Sequence, residues 1–157
     1  MKKQGFTLVE LLAAIVILGL IVTIVYPVII STIHSSEKKA HDSQVKIVEE
    51  AIKLYYLEHV SELKDLDENG EVAGCTGDFV NALNSSPVSI DTLVEQGYIS
   101  DNELREDNNG HKRLIDPCTD EPIQGTISVK WICNMKQYEY KFDANACDYW
   151  NKYFNIV

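Results

Sequence analysis

Four sets of side chains have types and spacings able to do chemistry. Glu10 stands at the front of an apolar run, Leu11 to Ile30, that carries no charge. A carboxylate on an apolar helix is costly in lipid and calls for a partner cation. Cys75, Cys118, Cys133 and Cys147 are the four cysteines. None stands in a C-x-x-C pair, so a zinc knuckle or thioredoxin-type motif is not supported. Asp65, Asp67 and Asn69 lead into Gly70 as D-x-D-x-N-G, the opening of a calcium loop. Its twelfth position should be a bidentate acid and is Thr76. Glu71 or Asp78 would substitute only through a different loop path. The expected reading is a polar Asn-Gly turn, with calcium as the alternative and no other cofactor. His34 and His41 share a helix face with no Cys or carboxylate in ligand register. Both are expected to be solvated rather than metal-bound.

No G-x-S-x-G, H-E-x-x-H or P-loop string occurs, so the chain is not expected to be an enzyme. Asp116-Pro117-Cys118 reads as a turn. Asp and Glu total 24 against 14 Lys and Arg, a net charge of −10. So acidic a surface repels phosphate backbones, and no direct nucleic-acid partner is expected. It also keeps an exported domain soluble.

The elements that position these groups follow from pattern. Leu11 to Ile30 makes a helix of about 30 Å, the thickness of a bilayer core. A cleaved secretory signal would be shorter, with a small-residue cleavage site after it. Here Ser31-Thr32-Ile33-His34 follows. A plain signal anchor fits the length, but Lys2 and Lys3 are matched by Lys38 and Lys39, so charge asymmetry barely orients it. Gly19 and Pro27 interrupt the run, and proline removes a backbone donor and bends a helix. Beyond the run, Val45, Val48, Ile52, Tyr55 and His59 recur at helical steps, and Leu63 extends the stripe. One nearly continuous helix from Phe6 to about Leu63 is predicted, roughly 85 Å long.

The N-terminus resembles a type IV prepilin. A short basic leader ends in Gly5, and Phe6-Thr7-Leu8-Val9-Glu10 precede the apolar run. The resemblance implies cleavage between Gly5 and Phe6 by a prepilin peptidase, N-methylation of Phe6, and an assembly role for Glu10. Cleavage would remove Lys2 and Lys3, leaving 12 basic residues against 24 acids, about −12. It also creates a cation at Phe6, which Glu10 of the same or a neighbouring subunit can neutralise. Gly19 and Pro27 match a glycine and a proline of pilin stalks, where the stretch between them can unwind in the filament. The implied partners are identical or related pilin subunits, the peptidase, the pilus assembly machinery and membrane lipid. The implied location is a single pass of the cytoplasmic membrane, then an extracellular pilus on the cell surface. Alternatives are a minor pilin or adhesin, or a pseudopilin of a secretion or DNA-uptake system.

The expected fold class is α+β, a long N-terminal helix packed against a small antiparallel sheet. Its segments are a leader (1–5), a membrane and filament-core helix (6–30), an amphipathic helix (31–63) and a globular head (64–157). In the head, Ser89 to Gly97 reads as a short helix stopped by glycine, and Asp107-Asn108-Asn109-Gly110 as a turn. Ile127, Val129, Trp131 and Cys133 alternate with polar residues, as do Tyr138, Tyr140 and Phe142, giving two strands. One shared apolar face requires paired residue numbers with an odd sum. Trp131 opposite Tyr140, with Asn134 to Gln137 as the turn, meets it. That register puts Cys147 near the loop holding Cys118. It favours Cys118–Cys147, with Cys75–Cys133 as the remainder; free buried thiols are the alternative.

Overall fold

A computed structural model describes residues 7–75, 77–107 and 109–147. The chain divides into two compact units, Met1–Glu37 and Lys38–Val157. The fold class is α+β, as expected. Helix α1 (Leu8–Glu58) contributes to both units.

In the first unit α1 is apolar on all sides. Leu11, Leu12, Val16 and Ile17, on different faces, are all exposed by more than half. An 18-residue window has mean hydropathy 2.9, so α1 is long and apolar enough to cross a membrane. Its hydroxyls bond back along the helix, Thr23 to Leu20 O at 2.8 Å and Thr32 to Val28 O at 2.9 Å. These hydroxyls are thereby satisfied within the helix itself. Pro27 lies inside α1.

In the second unit α1 becomes amphipathic. His41, Val48, Ala51, Ile52, Tyr55 and Tyr56 are buried, with Val45 packed at their edge. The helix ends at Glu58, five residues before the expected Leu63. Leu63 does continue the buried stripe, but from a bridge to Leu83 after a 3₁₀ turn at Val60–Glu62. Lys64 N–H donates to Ala82 O and Asn84 N–H to Glu62 O, so the backbone there serves the sheet rather than a helix. Two acids four apart, Glu58 and Glu62, also oppose helix continuation near a C-terminus.

The sheet has strands β1 (Phe79–Asn81), β4 (Gly125–Ile132) and β5 (Gln137–Ala144) in the order β1-β4-β5. A separate two-residue hairpin joins β2 (Arg105–Glu106) to β3 (Lys112–Arg113). Ile127, Val129 and Trp131 of β4 lie opposite Phe142, Tyr140 and Tyr138 of β5 and join the core with α1. The expected pairing of Trp131 with Tyr140 is thus two residues out, and the turn is Cys133 to Lys136. Both registers keep the same faces, so alternation cannot separate them. The observed one sets Trp131 edge-on to Tyr138 at 4.8 Å and turns through Lys136 at a φ of 50°. Gly125 is required where β4 begins. A Cβ there would sit 2.5 Å from Asp143 O and 2.6 Å from the Phe142 ring.

Helix α2 (Ile90–Glu95) is capped by Ser89, whose Oγ accepts Thr92 N–H at 3.1 Å. Gly97, at a φ of 80°, closes it, with Tyr98 N–H bonded to Leu93 O and Gly97 N–H to Val94 O. That is a Schellman ending.

Tyrosines fasten the acidic end of α1 to the head. Tyr55 donates to Glu62 Oε1 at 2.8 Å and stacks on His59 at 4.1 Å. Tyr98 donates to Glu58 at 2.5 Å, and Tyr56 OH accepts Val88 N–H at 3.1 Å. Burial, reinforced by Glu62, pushes the Tyr55 phenol up to about 12. The bond to Glu58 raises Tyr98, and burial raises Tyr56, Tyr138 and Tyr140. The folded chain therefore holds these protons longer than the unfolded chain does. The contribution of Tyr55 is full below the unfolded value of 10.0 and is lost as pH rises through about 12, and the other raised tyrosines act in the same direction. Unfolding midpoints followed with tyrosinate absorbance should fall steeply over that window. Midpoints flat to pH 12 would contradict the arrangement.

Candidate assembly site and buried clamp

Thr7 and Glu10 form a reciprocal cap at the start of α1. Thr7 N–H and Thr7 Oγ1 both donate to Glu10 Oε2, at 3.0 and 2.8 Å, and Glu10 N–H donates to Thr7 Oγ1 at 3.3 Å. This is a capping box, which satisfies donors that the first helical turn leaves open. The T-x-x-E spacing was present in the sequence, where it signals a helix start, and the sequence reading did not use it. All three bonds leave Oε1 untouched. Gly5 and Phe6, the expected cleavage and methylation positions, lie outside the described residues.

Gly19 and Pro27 are both within α1, and no contact in the described chain demands glycine at 19. A Cβ there meets nothing within 4 Å.

The cysteines are joined as Cys75–Cys133 and Cys118–Cys147, with Cα separations of 5.9 and 5.3 Å. These are the pairs favoured by the hairpin argument, although its register is shifted. In the observed register Asn145 N–H bonds Gln124 O, which brings Cys147 toward the Cys118 loop. Closing a loop with a sequence separation of 29 stabilises by roughly 3–4 kcal/mol in the chain-entropy model.

His41 is not solvated, and the sequence expectation is corrected here. It is 6% exposed, and its Nδ1 lies 3.0 Å from Oδ1 of Asp116, itself 3% exposed. Asp116 Oδ1 also accepts Cys118 N–H at 2.9 Å. One turn along α1, Gln44 Nε2 donates to Ile115 O at 2.8 Å. His41 and Gln44 thus clamp residues 115–118 to the helix. The partner, 75 residues away in sequence, left no local signal. The buried His41 does sit seven residues before Val48 on the apolar face, a spacing that could have flagged it.

The D-x-D-x-N-G string folds as a turn. Asp67 Oδ1 accepts Asn69 N–H and Glu71 N–H, both at 2.9 Å. Lys136 Nζ lies 3.1 Å from Asn69 O and 3.2 Å from Glu71 Oε1, so an ammonium already stands beside the loop's oxygens. Asp107 repeats the pattern, accepting Asn109 N–H at 2.8 Å and His111 N–H at 2.9 Å. Those two donors, His111 first, hold its carboxyl below the usual range. An open groove of about 460 Å³ runs between Asp91, Arg113 and the start of β4. Its cation is engaged, with Arg113 at 3.1 Å from Asp107 and 3.4 Å from Asp91.

Residues 1–26 match the prokaryotic N-terminal methylation motif, the signature of type IV prepilins. No curated protein and no solved structure matches the chain. The long helix with a small antiparallel sheet is a pilin-like architecture.

Removing one partner of the clamp leaves the other buried without its mate, a change that costs on the order of 3 kcal/mol. His41→Ala and Asp116→Ala should each lower the urea midpoint accordingly. The double substitution should cost clearly less than their sum, a coupling of about 0.5–3 kcal/mol. Simple additivity would remove the pair's role.

Proposed function

We propose that this chain, which carries the N-terminal methylation motif of type IV pilin-like proteins, is a structural subunit of a surface filament. In this reading it is held in the cytoplasmic membrane by α1, cleaved between Gly5 and Phe6, methylated on Phe6, and packed helix to helix. It acts by assembly rather than catalysis. The observation that carries the reading is the motif's position. It leads directly into a helix apolar on every side, with large apolar residues from Leu8 to Ile29 exposed. Such a surface has to be covered by lipid or by other helices. A filament core replaces lipid with neighbouring subunits.

Glu10 supplies the register in this scheme. Its Oε2 is engaged by Thr7, and among the described residues no hydrogen bond engages Oε1. The amine made at Phe6 by cleavage is the cation suited to it, because methylation leaves an amine protonated. In a medium without water, pairing an acid with a cation strongly favours docking over separation. Gly19, with no steric demand inside its own chain, is assigned to close approach between helices. Unwinding between Gly19 and Pro27 on assembly belongs to the same proposal.

The disulfides fit a head displayed outside the cell, where they persist. A head larger than a bare stalk needs favours a surface-displayed pilin over a pseudopilin that remains within a secretion or DNA-uptake machine. Abundance in filaments sheared from cells would distinguish a main subunit from a minor or adhesive one. No calcium is assigned to Asp65, Asp67 and Asn69, and the thermal transition should be unchanged by calcium. A rise on adding calcium would reverse that assignment.

Mass spectrometry should find the mature chain starting at methylated Phe6, and the intact leader in cells lacking the peptidase. An intact leader in both would sink the proposal. Glu10→Ala should be cleaved normally yet fail to enter filaments, and normal filaments from it would remove the residue's role.

A further inference from the structure

His41, Asp116 and Cys118 form a cluster that the assembly reading leaves unused. All three are buried, and a His41 ring nitrogen, an Asp116 carboxylate oxygen and Cys118 Sγ lie within 4.8 Å of one another. In the oxidised chain Cys118 is bonded to Cys147, and it is a thiolate that ligates metals. Breaking that bond places two thiols beside an imidazole and a carboxylate. We propose that the reduced head binds one zinc-type divalent ion through His41, Asp116, Cys118 and Cys147, and that the disulfide excludes it. The newly made chain passes through this reduced state before its cysteines are oxidised.

The donor set suits the ion. Two thiolates, one imidazole and one carboxylate make a four-coordinate site of the kind zinc occupies. The spacing is near what such a site needs. With bonds of about 2.0–2.3 Å, tetrahedral donors lie roughly 3.3–3.8 Å apart. His41 Nδ1 and Asp116 Oδ1 are already 3.0 Å apart. Cys118 Sγ has to close by roughly 1 Å, within reach of a rotamer change once the sulfur is free.

Bonds other than the disulfide also hold the frame. His41 is carried by α1, and Gln44 Nε2 holds Ile115 O at 2.8 Å. Cys118 N–H holds Asp116 Oδ1 at 2.9 Å, the kind of outer bond that orients a ligating carboxylate. Binding releases the two thiol protons and transfers no electrons.

Cobalt is the probe. The full-length chain in detergent, reduced with a phosphine, is titrated with Co²⁺ and then with Zn²⁺. One Co²⁺ per chain should bind with thiolate charge-transfer and tetrahedral d–d bands that Zn²⁺ displaces, while the oxidised chain shows none. A Cys75→Ser/Cys133→Ser variant should keep the bands. Cys118→Ser/Cys147→Ser should lose them, and His41→Ala should weaken binding at least about tenfold. Alkylation mapping needs no variant. Zn²⁺ should slow modification of Cys118 and Cys147 about tenfold or more and leave Cys75 and Cys133 unaffected. No bands, bands that depend on Cys75 and Cys133, or equal behaviour of all four thiols would overturn the site. If reduction unfolds the head, recovery of its circular dichroism with Zn²⁺ supports the site, and no recovery counts against it.

Discussion

A helix that is apolar around its whole circumference cannot be satisfied in water by its own chain, and every other feature of the N-terminal unit follows from that constraint. Within that unit the hydroxyls of Thr23 and Thr32 turn back on helix carbonyls. At its start the open donors of the first turn are met by a capping box, with Glu10 as its acid. In the proposed assembly the same acid would also meet the amine at Phe6. The cap uses only Oε2 of the carboxylate, so it is compatible with that pairing.

The head solves the opposite problem, that of making a helix end acceptable where its own charges oppose it. Glu58 and Glu62 stand where the helix dipole disfavours acids, and no basic residue occupies the last turn. Tyr98 and Tyr55 answer with donated hydrogen bonds. Further back, His41 and Gln44 hold the 115–118 loop, and Phe142 N–H reaches Glu49 at 3.3 Å. Disulfides then tie the Cys118 loop to Cys147 beyond β5, and Cys75 to Cys133 beyond β4. The result attaches the sheet to α1 through directional bonds as well as apolar contact.

Much of this was legible in the residues. Periodicity placed α1, a polar start and a glycine stop placed α2, alternation placed β4 and β5, and one shared face fixed the parity of their pairing. Parity left a two-residue ambiguity, because a shift of two returns every side chain to its original face. The end of α1 was also ambiguous. Leu63 extends the helical stripe and is indeed buried, but from a bridge to Leu83 rather than from a helix. The T-x-x-E cap was local, and it was legible although unread.

Local pattern by itself thus determined that an uncharged membrane-length helix follows a processing motif, and that an acidic α+β head follows the helix. These are one-dimensional facts of charge, period and spacing. Tertiary structure alone decided the hairpin register, the end of α1 and the fate of His41. The last two depend on partners far away in sequence, Leu83 for the residues after the helix end and Asp116 for His41. A histidine and an aspartate 75 residues apart carry no mark of each other until folding removes the water between them.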